Sequence, residues 1–439
     1  MVDRRIINLS ENCLMKKILC LICLFSISFY SCAVRNYLSS KSDLNEDRVF
    51  YGQMINKGQN AGWFNVPAHL VRSTEHLAIY VQTKFHKDYQ GEQNVSLYAL
   101  NKLAQEFDYY YTSMTNIYGT HSDIDGNGKI IILLMDINVN KEAGSQVLGY
   151  FNPMDMHGYN EGEILYMDIS NANNKTDNAI GTIIHEFQHL INYSYVMSGA
   201  RNEMDSWLNE ALSESTSILF NKATAESRIN EFNKINYYCF YTWDIPTNIS
   251  NNGKPNTHVN YPSASVFMHW LYKIGGYKPD IFKDIAFSKE LGDYNKVLSA
   301  AKDISSLSSV TQDWSSLLLN WMSEIVTNGS NWTTTNKPTI NCASGDVNLY
   351  PGAMIVCDSC SNNGTSANIV TTNINNGKSK TIILNKDTTL GKGATSVKVS
   401  VSSQASSKAR TRRSIRNDNN EESRDINILL DRNGNIKKD

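Results

Sequence analysis

Apolar residues recur at helical spacing in several long stretches, and short apolar runs lie between them. Over Val95–Tyr118 the apolar positions fall three or four residues apart, which predicts an amphipathic helix. The same spacing predicts helices over Tyr261–Ile274, which a pair of glycines ends, and over Asp313–Val326. Clusters of β-branched and aromatic residues predict strands at Leu77–Thr83, Ile130–Met135 and Glu163–Ser170.

The order of these elements predicts an α+β domain with strands mainly in its first half and helices in its second. After about residue 328 the composition shifts to Asn, Thr, Ser and Gly, and alternating patterns indicate a small β domain over 331–403. Those patterns lie at Asn368–Asn373, Thr381–Asn385 and Ser396–Ser402. Residues 404–439 are polar, with arginines followed by acidic residues, which is typical of a solvated tail.

The first 32 residues read as an export signal. Lys16 and Lys17 precede an apolar run that is too short to span a bilayer. The run ends at Cys32 after a small Ser31, a pattern similar to a bacterial lipobox. We therefore predict a signal segment over 1–32, a linker over 33–60, and a protein that is exported and either lipid-anchored to the cell envelope through Cys32 or secreted.

Composition and cysteine content narrow the classes of function. A net charge of −2 in 439 residues gives no reason to expect a nucleic-acid partner. Four of the eight cysteines lie beyond the signal segment, and in an exported chain we expect a disulfide between Cys342 and either Cys357 or Cys360. A second zinc site formed by these cysteines is the alternative.

The chemistry is concentrated in residues 181–219. His185-Glu186-Phe187-Gln188-His189 has the pattern H-E-x-x-H, and residues four apart on a helix share one face, so both imidazoles can bind one metal ion. Glu186 is rotated away from that ion but can reach a water molecule bound to it, which is the position of a general base.

A zinc site of this kind needs a third protein ligand. Glu210 and Glu214 lie four residues apart in the next helical segment, so they also share a face. We predict that Glu210 binds the metal and that Glu214 accepts a hydrogen bond from a ligating histidine and fixes its tautomer.

The two halves of this segment, HEFQHLINY and WLNEALSES, resemble the gluzincin metallopeptidases and, among them, the hyicolysin-type family. The resemblance implies a thermolysin-like catalytic domain over 61–330, with a mixed sheet in 61–178 and a helical part in 179–330. Glu214 stands where the thermolysin-like pattern usually has Asp. The resemblance also implies that the strand Glu163–Ser170 lies at the sheet edge and pairs with an extended substrate, although an ordinary interior strand fits the same sequence.

Tyr261 matches, by position and helix pattern, a tyrosine that donates to the oxyanion in zinc aminopeptidases, and His258 is the reserve candidate. A packing role for Tyr261 is the alternative. The expected function is zinc-dependent endopeptidase hydrolysis by a zinc-bound water that Glu186 activates. A zinc aminopeptidase is one alternative, but no G-x-M-E-N strand motif for a free amine is present. A catalytically silent surface lipoprotein that binds host matrix is the other.

A second cation site is suggested upstream, where Asp123, Asp125 and Asn127 have the spacing of the first half of a calcium loop. The position that should carry a bidentate Glu is Leu134. A tight turn ahead of a buried strand explains the same residues.

Overall fold

The computed structural model describes residues 44–55, 62–85, 95–138, 146–241, 243, 257–328, 336–358, 360–362, 366–376, 378–389, 394–401 and 425–429. The predicted signal segment 1–32, with Cys32, lies outside these residues, as does most of the predicted tail. Within the described part, no helix is long and apolar enough to cross a membrane.

A seven-stranded mixed sheet forms the first layer. Its strands are β1 Asp47–Met54, β2 Gly62–Ser73, β3 Leu77–Gln82, β4 Ile130–Met135, β5 Gln146–Phe151, β6 Ile164–Asp168 and β13 Asp425–Leu429. They lie in the order β1-β2-β3-β4-β6-β5-β13. The strands pair in parallel at β3–β4, β4–β6 and β5–β13, and antiparallel elsewhere.

The described residues also contain nine α-helices, and most of them lie in the part of the chain that follows β6. Their bounds are α1 Leu97–Tyr118, α2 Ile169–Asn174, α3 Thr176–Met197, α4 Ser206–Phe220, α5 Lys222–Phe232, α6 Thr257–Ile274, α7 Asp280–Phe287, α8 Asp293–Lys302 and α9 Trp314–Asn328. Helix α3 packs against α1, α4 and β5, so it lies between the sheet and the helical part of the molecule.

The central strands are buried on both faces, because every residue of β3, β4 and β6 is buried. Alternate residues of β4 therefore enter two different cores: Ile132 packs under the helices, and Ile131 packs on the opposite face. Phe187 of α3 lies in the first core, 5.1 Å from the ring of Phe107 on α1. Burying each such phenylalanine stabilises the fold by about 1.5–3 kcal/mol, which fixes α3 against the sheet.

A smaller β unit follows α9. Its strands are β7 Gly345–Leu349, β8 Met354–Asp358, β9 Cys360–Asn362, β10 Ile369–Asn376, β11 Lys378–Asn385 and β12 Thr395–Val401. They form two antiparallel three-stranded sheets, in the orders β10-β11-β8 and β7-β12-β9. Val356 and Leu384 face the helical core, whereas Ile355 and Ile383 face the unit's own core. The architecture is therefore mixed α/β and consistent with the α+β class.

Three elements differ from the sequence prediction. Strand β1 lies inside the predicted linker, and β13 lies inside the predicted polar tail and pairs with β5 of the main sheet. Strand β6 is not at the sheet edge as expected, because it lies between β4 and β5. A strand that is covered on both faces has the same apolar pattern at the edge of a sheet and in its interior, so the sequence of β6 does not show its position. Strand β6 is interior because β5, which was not predicted, pairs with its other side.

Two further details also differ. Helix α6 begins at Thr257, four residues earlier than the pattern indicated, and continues through Pro262. Cys342 is a free thiol, and its Sγ lies 3.2 Å from Lys380 Nζ, so the predicted disulfide of Cys342 is wrong. Cys357 is disulfide-bonded.

Candidate active site

Helix α3 carries the H-E-x-x-H residues in its buried middle. Its apolar positions, Ile184 and Phe187 among them, pack into the main core. The helical repeat then places His185 and His189 together on another face, the one that meets α4. Packing of the apolar residues thus holds the polar residues in the interior.

One nitrogen or oxygen atom from each of His185, His189 and Glu210 converges on a single point. His185 Nε2 lies 3.1 Å from His189 Nε2 and 3.2 Å from Glu210 Oε2. His189 Nε2 lies 3.6 Å from the same oxygen. Zinc bound tetrahedrally at about 2.0–2.1 Å would hold its ligand atoms roughly 3.3 Å apart. The three side chains therefore have the donor types and the spacing of a zinc site.

The environment of these atoms also fits a bound cation. All three side chains are buried, and Glu210 Oε2 has no hydrogen-bond partner although it faces both imidazoles. Burial lowers the pKa of His185 and so favours the neutral imidazole, the form that binds a metal. Burial alone would raise the pKa of Glu210, but the two imidazoles lower it to about 2. An ionised carboxylate so deeply buried is costly unless a positive charge compensates it.

Glu186 is positioned by the end of strand β5. The backbone N–H of Phe151 donates to Glu186 Oε2 at 3.0 Å, whereas Glu186 Oε1 is buried without a hydrogen-bond partner. Burial raises the pKa of Glu186 to about 8. One oxygen thus anchors the carboxyl, and the other remains to accept a proton.

Ser213 of α4 sets the orientation of His189. Its hydroxyl donates to Gln188 Oε1 at 2.5 Å and lies 3.0 Å from His189 Nδ1. Because the hydroxyl proton is directed at Gln188, the serine oxygen accepts the proton of His189 Nδ1. That tautomer leaves the lone pair of Nε2 directed toward the other two ligand atoms.

Glu214 lies beside the other histidine, with Oε1 3.5 Å from His185 Nδ1. A buried arginine holds this carboxylate at both oxygens: Arg228 Nε donates to Oε2 at 2.9 Å, and its NH2 group donates to Oε1 at 3.1 Å. The distance to His185 is longer than an ordinary hydrogen bond, so the principal partner of Glu214 is Arg228. The coulombic attraction of Glu214 raises the pKa of Arg228 in spite of its burial.

Tyr261 forms part of the wall of the site. Its ring centroid lies 6.3 Å from that of His185 and 4.6 Å from that of Trp243, and the guanidinium of Arg228 lies 4.7 Å from its ring centre. The side chain is buried, and burial raises its pKa well above the ordinary value. His258 lies one turn earlier on α6 and is partly buried.

Sequence reasoning did not find Ser213, Gln188 or Arg228. Gln188 and Ser213 both lie within residues 181–219, next to or near a predicted ligand. Their signal in the sequence was therefore a polar residue close to a predicted metal ligand. Arg228 lies on the following helix, 14 residues beyond Glu214, and no local spacing connects them.

The second predicted cation site differs in one member. Asp123 and Asp125 lie together with Glu163 in a group whose ligand atoms are within 4.8 Å of one another. The side-chain oxygen of Asn127 instead accepts the backbone N–H of Lys129 at 2.7 Å.

Comparison with known proteins agrees with this geometry. No family model matches the chain. The chain is 26% identical over 263 residues to the neutral metalloprotease ShpI of Staphylococcus hyicus, and the alignment covers 56% of each protein. The chain thus spans about half the length of this relative. The relative is a metalloprotease by name, and in this chain the ligand atoms of His185, His189 and Glu210 lie close enough together to hold one metal ion.

Proposed function

We propose that the protein is a zinc-dependent endopeptidase of the gluzincin type. The observation that carries this proposal is the convergence of His185, His189 and Glu210 beside a buried carboxylate, Glu186, that has one unpartnered oxygen. A zinc ion held there supplies Lewis-acid activation of a water molecule and of the peptide carbonyl.

The chain's own residues account for the proton transfers. Glu186 accepts the proton of the attacking water at Oε1, while the N–H of Phe151 holds Oε2 and keeps the carboxyl in place. Glu186 then delivers this proton to the leaving amine. Ser213 keeps the imidazole ring of His189 oriented. Tyr261, or His258 in its place, donates a hydrogen bond to the developing oxyanion.

An extended substrate would reach this site along strand β5, since β5 ends at the residue that holds Glu186. Strand β13 pairs with β5 from Gln146 to Phe151 and covers its outer edge. We therefore propose that a peptide substrate adds to β5 by displacing residues 425–429.

The experiment that tests the hydrolase assignment is Glu186→Gln. We expect zinc content to be unchanged and cleavage of casein to fall at least 100-fold, because removing a general base typically costs about 10²–10⁴-fold. Glu290→Gln, the same change at an exposed position, is the control. Cleavage by Glu186→Gln at the control's rate would show that another group is the base.

Cleavage of a peptide with a blocked N terminus separates an endopeptidase from an aminopeptidase, the principal alternative. We favour the endopeptidase because the sequence lacks the G-x-M-E-N strand motif. If zinc is bound but no peptide is cleaved, the silent surface lipoprotein becomes the better assignment.

We propose that the protein is exported and held at the cell envelope by a lipid on Cys32, on the basis of the signal pattern alone. Metabolic labelling with palmitate should mark the wild type, and Cys32→Ser should abolish the label. A released, unlabelled protein would indicate secretion.

A further inference from the structure

A cluster of three carboxylates lies outside the candidate active site. Asp123 and Asp125 belong to the loop between α1 and β4, and Glu163 directly precedes β6. One oxygen from each lies within 4.8 Å of the other two. Glu163 is distant in sequence from the loop, so the strand order of the sheet brings it there.

Glu163 is the member that points to a ligand. Its side chain is fully buried. Oε1 accepts hydrogen bonds from Ser122 Oγ at 2.7 Å and from the N–H of Ile124 at 2.9 Å. Oε2 is buried and has no hydrogen-bond partner. One oxygen thus holds the carboxylate in place, and the other is buried without a hydrogen-bond donor, in a group that also contains Asp123 and Asp125.

No cationic side chain of the described residues forms an ion pair with any of the three carboxylates. The neighbouring Lys129 donates to the backbone oxygens of Thr74 and Glu75. Arg48 donates to the backbone oxygen of Asn160. Its positive charge lowers the pKa of Asp125 by less than burial raises it. Asp125 and Glu163 are buried and Asp123 is exposed, and three carboxylates held so close together repel one another unless a cation lies between them.

We propose that Asp123, Asp125 and Glu163 bind a calcium ion. The donor set contains only oxygen atoms, which suit hard cations, and Ca²⁺ accepts irregular geometry with carboxylates, backbone carbonyls and water. Gly126 and Gly128 both have a φ of +70°, so the loop turns back over itself and the N–H of Gly128 donates to Asp123 Oδ1 at 2.9 Å. The third ligand is Glu163, not Asn127.

The calcium site would be connected to the catalytic helix. The N–H of Ser122 donates to Ser194 Oγ on α3 at 3.1 Å, and the hydroxyl of Ser122 donates to Glu163. A calcium ion that holds Glu163 in place would therefore also hold the loop before β4, which contacts the C-terminal half of α3 through Ser122. The stability of this loop and helix should depend on calcium.

Glu163→Gln tests the site without removing its supports. The glutamine oxygen can still accept from Ser122 and Ile124, and the amide replaces the unpartnered oxygen. In calcium-free buffer this variant should melt at a higher temperature than the wild type, because one of three repelling charges is gone. In calcium the order should reverse, because the wild type gains the ion. Glu75→Gln, a nearby exposed glutamate, should behave as the wild type in both buffers.

The measurement is thermal unfolding and calorimetric titration of the full chain with CaCl2, in a Glu186→Gln background that prevents self-cleavage. At a concentration of 100 times its Kd, calcium should raise the Tm of the protein that retains Glu163 by about 5 °C. The titration should show one binding site. Absence of calcium binding, or equal binding and stabilisation of the Glu163→Gln variant, would overturn the proposal. A response to MgCl2 that equals the response to CaCl2 would overturn the choice of calcium. Hydrolysis is not measured, so the result does not depend on the proposed peptidase activity.

Discussion

Ser213 offers a direct test of how the metal site is held together. Ser213→Ala removes the hydroxyl that lies between His189 Nδ1, at 3.0 Å, and Gln188 Oε1, at 2.5 Å. The ligand atoms themselves are untouched. The change leaves two buried polar atoms without this partner, and it releases the constraint that directs His189 Nε2 at the metal.

The expected size of the effect follows from these two losses. Losing an outer hydrogen bond of a ligating histidine typically weakens metal binding about 10–100-fold, which equals roughly 1.4–2.7 kcal/mol. Leaving buried polar groups unsatisfied costs a further 1–3 kcal/mol or so in folding stability. We therefore expect a zinc Kd raised by one to two orders of magnitude and a measurable loss of stability.

The assay is competition for zinc between the protein and a chromophoric chelator, together with urea unfolding of the zinc-loaded protein. Ser217→Ala is the matched control, because Ser217 is buried in the same helix but its hydroxyl donates only to the backbone oxygen of Glu214. If both variants bind zinc equally well, Ser213 does not orient His189 and the tautomer argument is refuted.

Three further predictions concern other parts of the fold. Arg228→Met should destabilise the protein by about 3–5 kcal/mol in urea unfolding, because Glu214 remains buried without its partner, and adding Glu214→Gln should recover part of the loss; no recovery would mean that the pair does not act as a unit. Burial raises the pKa of Asp155 to about 8, so its contribution to stability is full below pH 4 and is lost as the pH rises through 8. The Tm of the wild type should accordingly fall more steeply than that of Asp155→Asn between pH 5 and 8, and parallel curves would contradict this. Ending the chain at residue 424 should raise kcat/KM for a peptide several-fold if β13 competes with substrate for β5, whereas an unchanged value would remove β13 from the substrate path.

Local patterns in the sequence predicted the features that depend on spacing within one element. The position of α1 followed from the spacing of apolar residues, and those of β3, β4 and β6 followed from clusters of β-branched and aromatic residues. The grouping of His185 with His189 followed from the helical repeat, and Glu210 followed from a carboxylate at a favourable distance along the chain. In each case the relevant partners lie on the same element or on adjacent ones.

Features that depend on the order of strands and on distant partners were not predicted. Two strands, β5 and then β13, lie between β6 and that end of the sheet, and β5 carries no strong alternating pattern. Glu163 joins Asp123 only because β4 and β6 are neighbours in the sheet. No one-dimensional pattern links such residues, since their separation in the chain is set by the intervening elements.

The balance of buried charge is the strongest physical reason to expect a divalent ion at the active site. Glu186, Glu210 and Glu214 are each 1% exposed, and Arg228 is 7% exposed. Without a cation, burial raises the pKa of Glu186 to about 8, so this carboxyl is mostly protonated at neutral pH. Ionising it as well, as a general base requires, would set three negative charges against one positive charge, with neutral imidazoles adding none, and an excess of two negative charges in an apolar interior would be strongly destabilising. A divalent cation at the point where His185, His189 and Glu210 converge cancels that excess, so the same ion that supplies the chemistry also makes the buried carboxylates compatible with the fold.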